Sequence, residues 1–467
     1  MNEIKDKFLQ RIKKAALLLL LSSSAIYAQE PKKWTLEECI QYAVAHNIDI
    51  KKIALQKENA AVELNTAKMS RLPDLNAGAG QRWNFGRSNN TLSGVYENQT
   101  ISNTNVYVSS NTPLFTGFKI QNQIEQNKLQ LAAITYNLEK AKEDLSLNVA
   151  SLFLQVLFNK EILKINEEQL TLSQSQVKKT EILVEVGKVP ASQLFDIKAQ
   201  VAKDEVRVTE SQNALQLSLL DLMQSLELER TSAFDIAIPE TRDVIEDNMN
   251  NISSPEEIYD YAVVSKPQVK AQESFVQTAE KSLKVAKSGY YPSLYLELGY
   301  GNSYFYNYTM EGRNIADPAG LYTWRNTSFA NQIKNNGGEY IGLNLNIPIF
   351  NRFAVRNQVQ SARLNIQDQQ LTLENTKKKL YKEIQTAHSN ATAAQAKYSS
   401  SLKAVEASRE SFKYAEERYE IGKSPVFEFN EAKTRLIQSL SEQIQAKYDY
   451  IFCTKILDFY NGVAIRL

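Results

Sequence analysis

The residue types that most often carry chemistry are scarce in this chain and stand far apart. Its only histidines are His46 and His388, and its only cysteines are Cys39 and Cys453. A zinc or similar centre needs His, Cys or carboxylate ligands at short, characteristic spacings, and neither histidine has such neighbours. Two cysteines make no disulfide framework. No nucleophile elbow, P-loop or dinucleotide fingerprint occurs. The expectation is a protein that is not an enzyme, with no metal and no cofactor. Lys and Arg total 54 against 53 Asp and Glu, a net charge of +1. A nucleic-acid partner would call for a concentrated basic face, so none is expected.

The elements must then explain the chain. Residues 1–28 have a basic front (Lys5, Lys7, Arg11, Lys13, Lys14), an apolar run from Ala15 to Leu21 and small residues before Ala28. That is the layout of a cleaved secretory signal peptide. Without it, five positive and two negative side chains go, and the net charge becomes 1 − 3 = −2. No later segment has eighteen consecutive apolar residues, so no membrane-spanning helix is expected. An exported chain can still cross an outer membrane as a closed β-barrel.

The remainder is written twice. Residues 35–73 align without a gap to 254–292, with eleven of 39 positions identical, among them Glu37/Glu256, Tyr42/Tyr261 and Pro73/Pro292. NTPLFTGFKIQNQI (111–124) then aligns with NIPIFNRFAVRNQV (346–359), and the offset of 235 still holds at VGKVP (186–190) and IGKSP (421–425). Residues 118–186 and 353–421 contain neither Gly nor Pro, and thirteen of sixteen glycines fall within 74–117 or 289–342. Apolar residues recur at coiled-coil spacing, as in Leu131, Ile134, Leu138, Ala141, Leu145 and in Leu373, Leu380, Ile384, Ala387, Ala391. The first repeat (29–253) is therefore read as helices over 35–71, strands 73–86 and 104–115, a long helix 118–186, a helix 190–227 and a linker 228–253. The second (254–467) is read as helices over 255–290, strands 293–304 and 339–350, a long helix 353–421 and a helix 425–460.

In the strands the period switches to two. Leu75, Ala77, Ala79, Trp83 and Phe85 alternate with polar residues and glycines, as do Leu294, Leu296, Leu298 and Ile341, Leu343, Leu345. About ten residues per strand suits a tilted membrane strand. The connections, roughly Arg87 to Asn103 and Asn302 to Gly338, read as polar surface loops. Four strands leave two open edges, which lipid does not tolerate. Closed barrels begin at about eight strands, so the chain must associate; two copies would give eight strands and three would give twelve.

This ordered set resembles the TolC-like outer-membrane efflux family over nearly the whole chain after residue 28. The resemblance implies a fold that is mainly α with β: a homotrimer whose twelve-stranded barrel lies in outer-membrane lipid and continues into a long periplasmic α-helical barrel. It implies a passive exit duct of an efflux pump or type I secretion system, served by a periplasmic adaptor (membrane fusion) protein and an inner-membrane pump of RND or ABC type. The turns Gly187, Lys188, Pro190 and Gly422, Lys423, Ser424 then correspond to adaptor-docking tips, although helix punctuation alone also accounts for them. Glu428 and Glu431, with Asp196 in the first copy, correspond to an acidic ring at the periplasmic entrance, where the helix dipole would favour carboxylates in any case. Pro113, Phe115, Phe118 and Pro348, Phe350, Phe353 mark the joint between barrel and tunnel, the prolines breaking strand pairing. The alternative is a periplasmic coiled-coil spacer without a channel.

Overall fold

A computed structural model describes residues 33–89, 94–228, 234–239, 253–310, 315–316, 323–324, 326–421 and 423–466. The segment read as a signal peptide and Gly422 lie outside the described residues. In chain order the elements are β1 (Lys33–Trp34), α1 (Leu36–His46), α2 (Ile48–Met69), β2 (Asn76–Asn89), β3 (Tyr96–Phe115), α3 (Lys119–Glu185) and α4 (Ala191–Ser225). There follow β4 (Asp235–Ile236), α5 (Pro255–Ser265), α6 (Pro267–Lys287), β5 (Ser293–Asn307), β6 (Ile315–Ala316), β7 (Thr323–Trp324), α7 (Phe329–Asn335), β8 (Gly338–Asn346), α8 (Ala354–Glu420) and α9 (Val426–Tyr460).

The repeat is visible element by element. Thr35 caps α1 in a capping box with Glu38, and Ser254 caps α5 by accepting from the Glu257 N–H. Both short helices then stop at an extended residue, Asn47 (ψ 132°) and Lys266 (ψ 132°), so each opening segment is two helices. Asn47 Oδ1 accepts from the N–H groups of Asp49 and Ile50 and so starts α2, whereas Pro267 stops α5 because the residue before a proline avoids helical backbone. The long helices α3 and α8 are 67 residues each, and α4 and α9 are 35 each. At about 1.5 Å per residue the longer ones measure roughly 100 Å.

The chain forms two compact units, each drawing on both repeats. One comprises residues up to Lys52, Glu139–Lys266 and Lys379 onward. Its core joins Leu36, Cys39 and Ala43 of α1, Val149, Phe153, Val156 and Leu157 of α3, Leu222 of α4 and Ile444, Tyr448 and Ile451 of α9. Burial pushes the Cys39 thiol up to about 12, which makes it an inert apolar filler. Within the stretch expected as a linker, β4 pairs in parallel with β1, and Lys160 of α3 holds both Asp235 and the Ile236 carbonyl. In α8 the expected seam residues Leu380, Ile384, Ala387 and Ala391 are buried.

The other unit, Ile53–Leu138 with Pro267–Lys378, holds an antiparallel sheet in the order β2-β3-β5-β8. Its register puts Ala77 opposite Val108, Leu296 opposite Leu343 and Leu298 opposite Ile341 on one face, which is mainly apolar at that end and takes in Gln81, Ser102, Thr104 and Asn302 farther along. That face is bare within the chain: Leu75 is 77%, Ile341 75% and Leu343 68% exposed. The other face carries Arg82, Asn105, Glu297 and Asn344, with Asn344 donating to Glu297 at 3.4 Å. Its glycines make room for aromatic rings: a Cβ on Gly78 would meet the ring of Tyr107 at 2.5 Å.

Several strand limits differ from the pattern. β3 starts at Tyr96, eight residues before the expected 104, because β2 continues to Asn89 and pairs with it there. Backbone ladders need no apolar alternation, so polar residues 96–103 gave no strand signal. β8 stops at Asn346, not 350, because its partner β5 begins at Ser293, immediately after Pro292. The stretch 302–338, expected as loop, contains the end of β5, the short strands β6 and β7, and α7.

Candidate functional site

Two places in the chain were marked out by sequence, one in each unit. At the joint, β3 runs through Pro113, which pairs with Tyr295, and a register shift follows before Phe115. Proline therefore does not end this strand. The β2 ladder stops at Ser109, so beyond it β3 is an edge where a missing N–H costs no ladder bond. In the second copy Pro348 does lie outside the strand. After each proline the backbone turns left-handed over two residues: Gly117 (φ 62°) and Phe118 (φ 62°), then Arg352 (φ 54°) and Phe353 (φ 61°). This double turn swings the chain from sheet into helix and brings the phenylalanines edge to face. Phe115 and Phe118 stand 5.3 Å apart at 87°, and Phe350 and Phe353 stand 5.6 Å apart at 87°. Phe118, Phe350 and Phe353 are exposed.

At the tips, α3 ends with the Lys188 N–H donating to the Leu183 carbonyl at 2.8 Å, with Gly187 left-handed (φ 73°). The Lys423 N–H donates to the Arg418 carbonyl at 2.8 Å in the same way. This capping pattern favours glycine because φ is positive. Pro190 and Pro425 were expected as the first helical residues; each is instead the extended N-cap before it (ψ 147° and 154°). Glu428 accepts from Ser424 Oγ at 2.6 Å and lies 3.6 Å from Arg418. Ser424 is thus buried under its own helix start rather than displayed. Glu431 pairs with Arg435 at 3.3 Å, and Asp196 is exposed on α4.

Sequence reasoning missed the most buried charged groups here. Lys433 of α9 donates to Asp204 of α4 at 3.1 Å and to Ser173 of α3, which itself donates to Asp204. Lys433 is 2% and Asp204 1% exposed. Gln200 donates to the second Asp204 oxygen at 2.8 Å, and Arg207 lies 3.9 Å from it. Burial pulls the Lys433 ammonium below the usual lysine range, while Asp204 opposes that shift. A serine beside a lysine suggests a hydrolytic pair, but all three side chains are buried and bonded to one another. It is a structural tie between three helices. No grouping of metal-ligating side chains occurs among the described residues.

With this geometry in view, the chain can be placed among known proteins. A family model described as outer membrane efflux protein matches residues 39–227 and 258–451, and the chain belongs to that family. Its fold is the TolC-like one, mainly helical with some β-strands, and it is not an enzyme. It is 24% identical to outer membrane protein TolC of Vibrio cholerae over 441 residues, covering 92% of this chain and 90% of that one. Against TolC of Salmonella enteritidis it is 21% identical over 460 residues, covering 94% and 84%. Among solved structures, CusC superposes with a TM-score of 0.73 at 16% identity, covering 94% of this chain and 95% of that one. The Campylobacter jejuni CmeC outer membrane channel gives 0.71 at 18%, covering 91% and 85%.

Proposed function

We propose that three copies of this chain close a twelve-stranded barrel in the outer membrane, and that their long helices line a periplasmic tunnel leading to it. The assembly is a passive exit duct, fed at the helix tips by a periplasmic adaptor and an energised inner-membrane pump. One observation carries this reading: a four-stranded sheet with an apolar face bare to its surroundings and two unpaired edges. In water such a face would drive aggregation; in lipid it is the outer wall, provided that neighbouring copies satisfy the edges. Exposed apolar residues at the tips, Ile182, Val186, Ile421 and Phe427, support docking of a partner there. The relatives named as outer membrane channels support the same function. The protein should need detergent for solubility and sediment as a trimer. A water-soluble monomer would overturn the duct and favour the spacer.

In this reading Glu428 and Glu431 ring the entrance, with Asp196 contributing from the first copy. Threefold repetition concentrates their charge and attracts cations. Changing Glu428→Gln together with Glu431→Gln is expected to weaken polyvalent-cation block of single-channel current by about tenfold or more. Unchanged block would remove these carboxylates from the entrance.

A further inference from the structure

The short opening helix of each repeat packs on the long helix of the same repeat, α1 on α3 and α5 on α8. The two places differ in what fills the space between the helices. In the second copy Tyr381 of α8 fills it. Its hydroxyl donates to Glu256 of α5 at 3.2 Å, and its ring stands edge to face with that of Tyr259, 5.0 Å away at 70°. Each of these groups has a counterpart in the first copy. Glu256 becomes Glu37, Tyr259 becomes Ile40 and Tyr381 becomes Ser146. The carboxylate is kept and both rings are gone.

A cleft of about 390 Å³ is left there, lined by Glu37 and Ile40 of α1, Ser146 of α3, Lys266, Phe459 at the end of α9 and Ile465 beyond it. The charges around it cancel in pairs: Glu139 with Lys142 at 2.9 Å, Glu143 with Lys266 at 3.4 Å and Glu37 with Arg466 at 3.9 Å. Lys266 is held further by the face of the Phe459 ring, 3.3 Å from its ammonium. A charged ligand would therefore find its counter-charge already engaged, and the cleft suits a neutral one. The Glu37–Arg466 pair is beyond hydrogen-bond distance. Glu37 thus keeps the acceptor capacity that Glu256 gives to the Tyr381 hydroxyl.

We propose that this cleft binds a small neutral phenol, whose ring takes the space that Tyr381 fills in the second copy and whose hydroxyl donates to Glu37. A hydrogen bond to a carboxylate is stronger than one between neutral groups, and Ile40, Phe459 and Ile465 supply the apolar walls for the ring. The volume lies within the range of small-molecule sites, which begins at about 300 Å³. Bound there, the phenol ties α1 and the C-terminal tail to α3, as Tyr381 ties α5 to α8. None of this depends on the trimeric duct, because every group named belongs to one compact unit of one chain.

The probe is labelled 4-methylphenol, the tyrosine side chain without its backbone, in equilibrium dialysis against the full chain with the same detergent on both sides. Saturable binding is expected with a dissociation constant on the order of 1 mM, as suits a ligand of about eight non-hydrogen atoms. Toluene, which has the ring without the hydroxyl, is expected to bind roughly tenfold more weakly. Ser146→Tyr builds the ring of the second copy into the cleft and is expected to abolish 4-methylphenol binding. Glu37→Gln is expected to weaken 4-methylphenol about fivefold while leaving toluene unchanged. No saturable binding of 4-methylphenol, or equal binding by Ser146→Tyr, overturns the site. Should Ser146→Tyr fail to fold, equal affinity of the unaltered chain for 4-methylphenol and toluene overturns it instead.

Discussion

Lys433→Met is expected to destabilise the helical unit by roughly 3–5 kcal/mol, because it strands the Asp204 carboxylate in a site that excludes water. Asp204 is 1% exposed, and Ser173 and Gln200 would be left as its nearest donors. Two hydrogen bonds and the partly exposed Arg207, 3.9 Å from one oxygen, do not replace hydration and the direct ammonium contact. The double variant Lys433→Met with Asp204→Leu removes both charges and fills similar volume, so its cost is expected to stay within about 1–2 kcal/mol. Lys179→Met provides the contrast. That lysine and Glu420 are 58% and 52% exposed in their side chains, and an exposed pair contributes about 0–1 kcal/mol. The measurement is loss of helical circular dichroism on heating in detergent. Equal melting of Lys433→Met and Lys179→Met would show that the buried pair is not fully desolvated.

Much of the fold could be read from pattern because pattern had a simple physical cause. Period-two alternation in Leu294–Leu298 and Ile341–Leu345 reflects a sheet with unlike faces. The absence of Gly and Pro over 118–186 and 353–421 reflects uninterrupted helices, and α3 and α8 lie within those spans. The polar start of β3 left no trace because ladder hydrogen bonds are made by the backbone, whatever the side chain. The Lys433 node was illegible for another reason. Its members are 31 and 229 positions apart, and a lysine in a Gln- and Glu-rich helix looks like surface. The repeat even misdirects, since the equivalent Lys198 is on the surface. Burial of a lone lysine depends on which helices pack around it, and that is decided by tertiary structure alone.

The joint shows the same divergence between copies on the scale of one Cβ, and it leads to the second large effect. Gly117→Val should cost roughly 2–5 kcal/mol, combining the 1–2 kcal/mol of a left-handed side chain with about 1–3 kcal/mol of overpacking. A Cβ at Gly117 would lie 2.7 Å from both the Ser288 carbonyl oxygen and Tyr291 Cβ, neither of which can swing aside as a flexible chain end would. The equivalent Arg352 adopts nearly the same backbone (φ 54°) with its side chain exposed. There only the backbone penalty applies, so Arg352→Gly should stabilise by up to about 1 kcal/mol, the left-handed gain being partly offset by the freer unfolded chain. Thermal melting of the protein in detergent reads both signs. If the two substitutions shift the melting temperature in the same direction, the double left-handed turn is not what joins sheet to helix in both copies. Opposite shifts would mean that one turn is built twice, once with glycine where the neighbouring helix presses on it and once without.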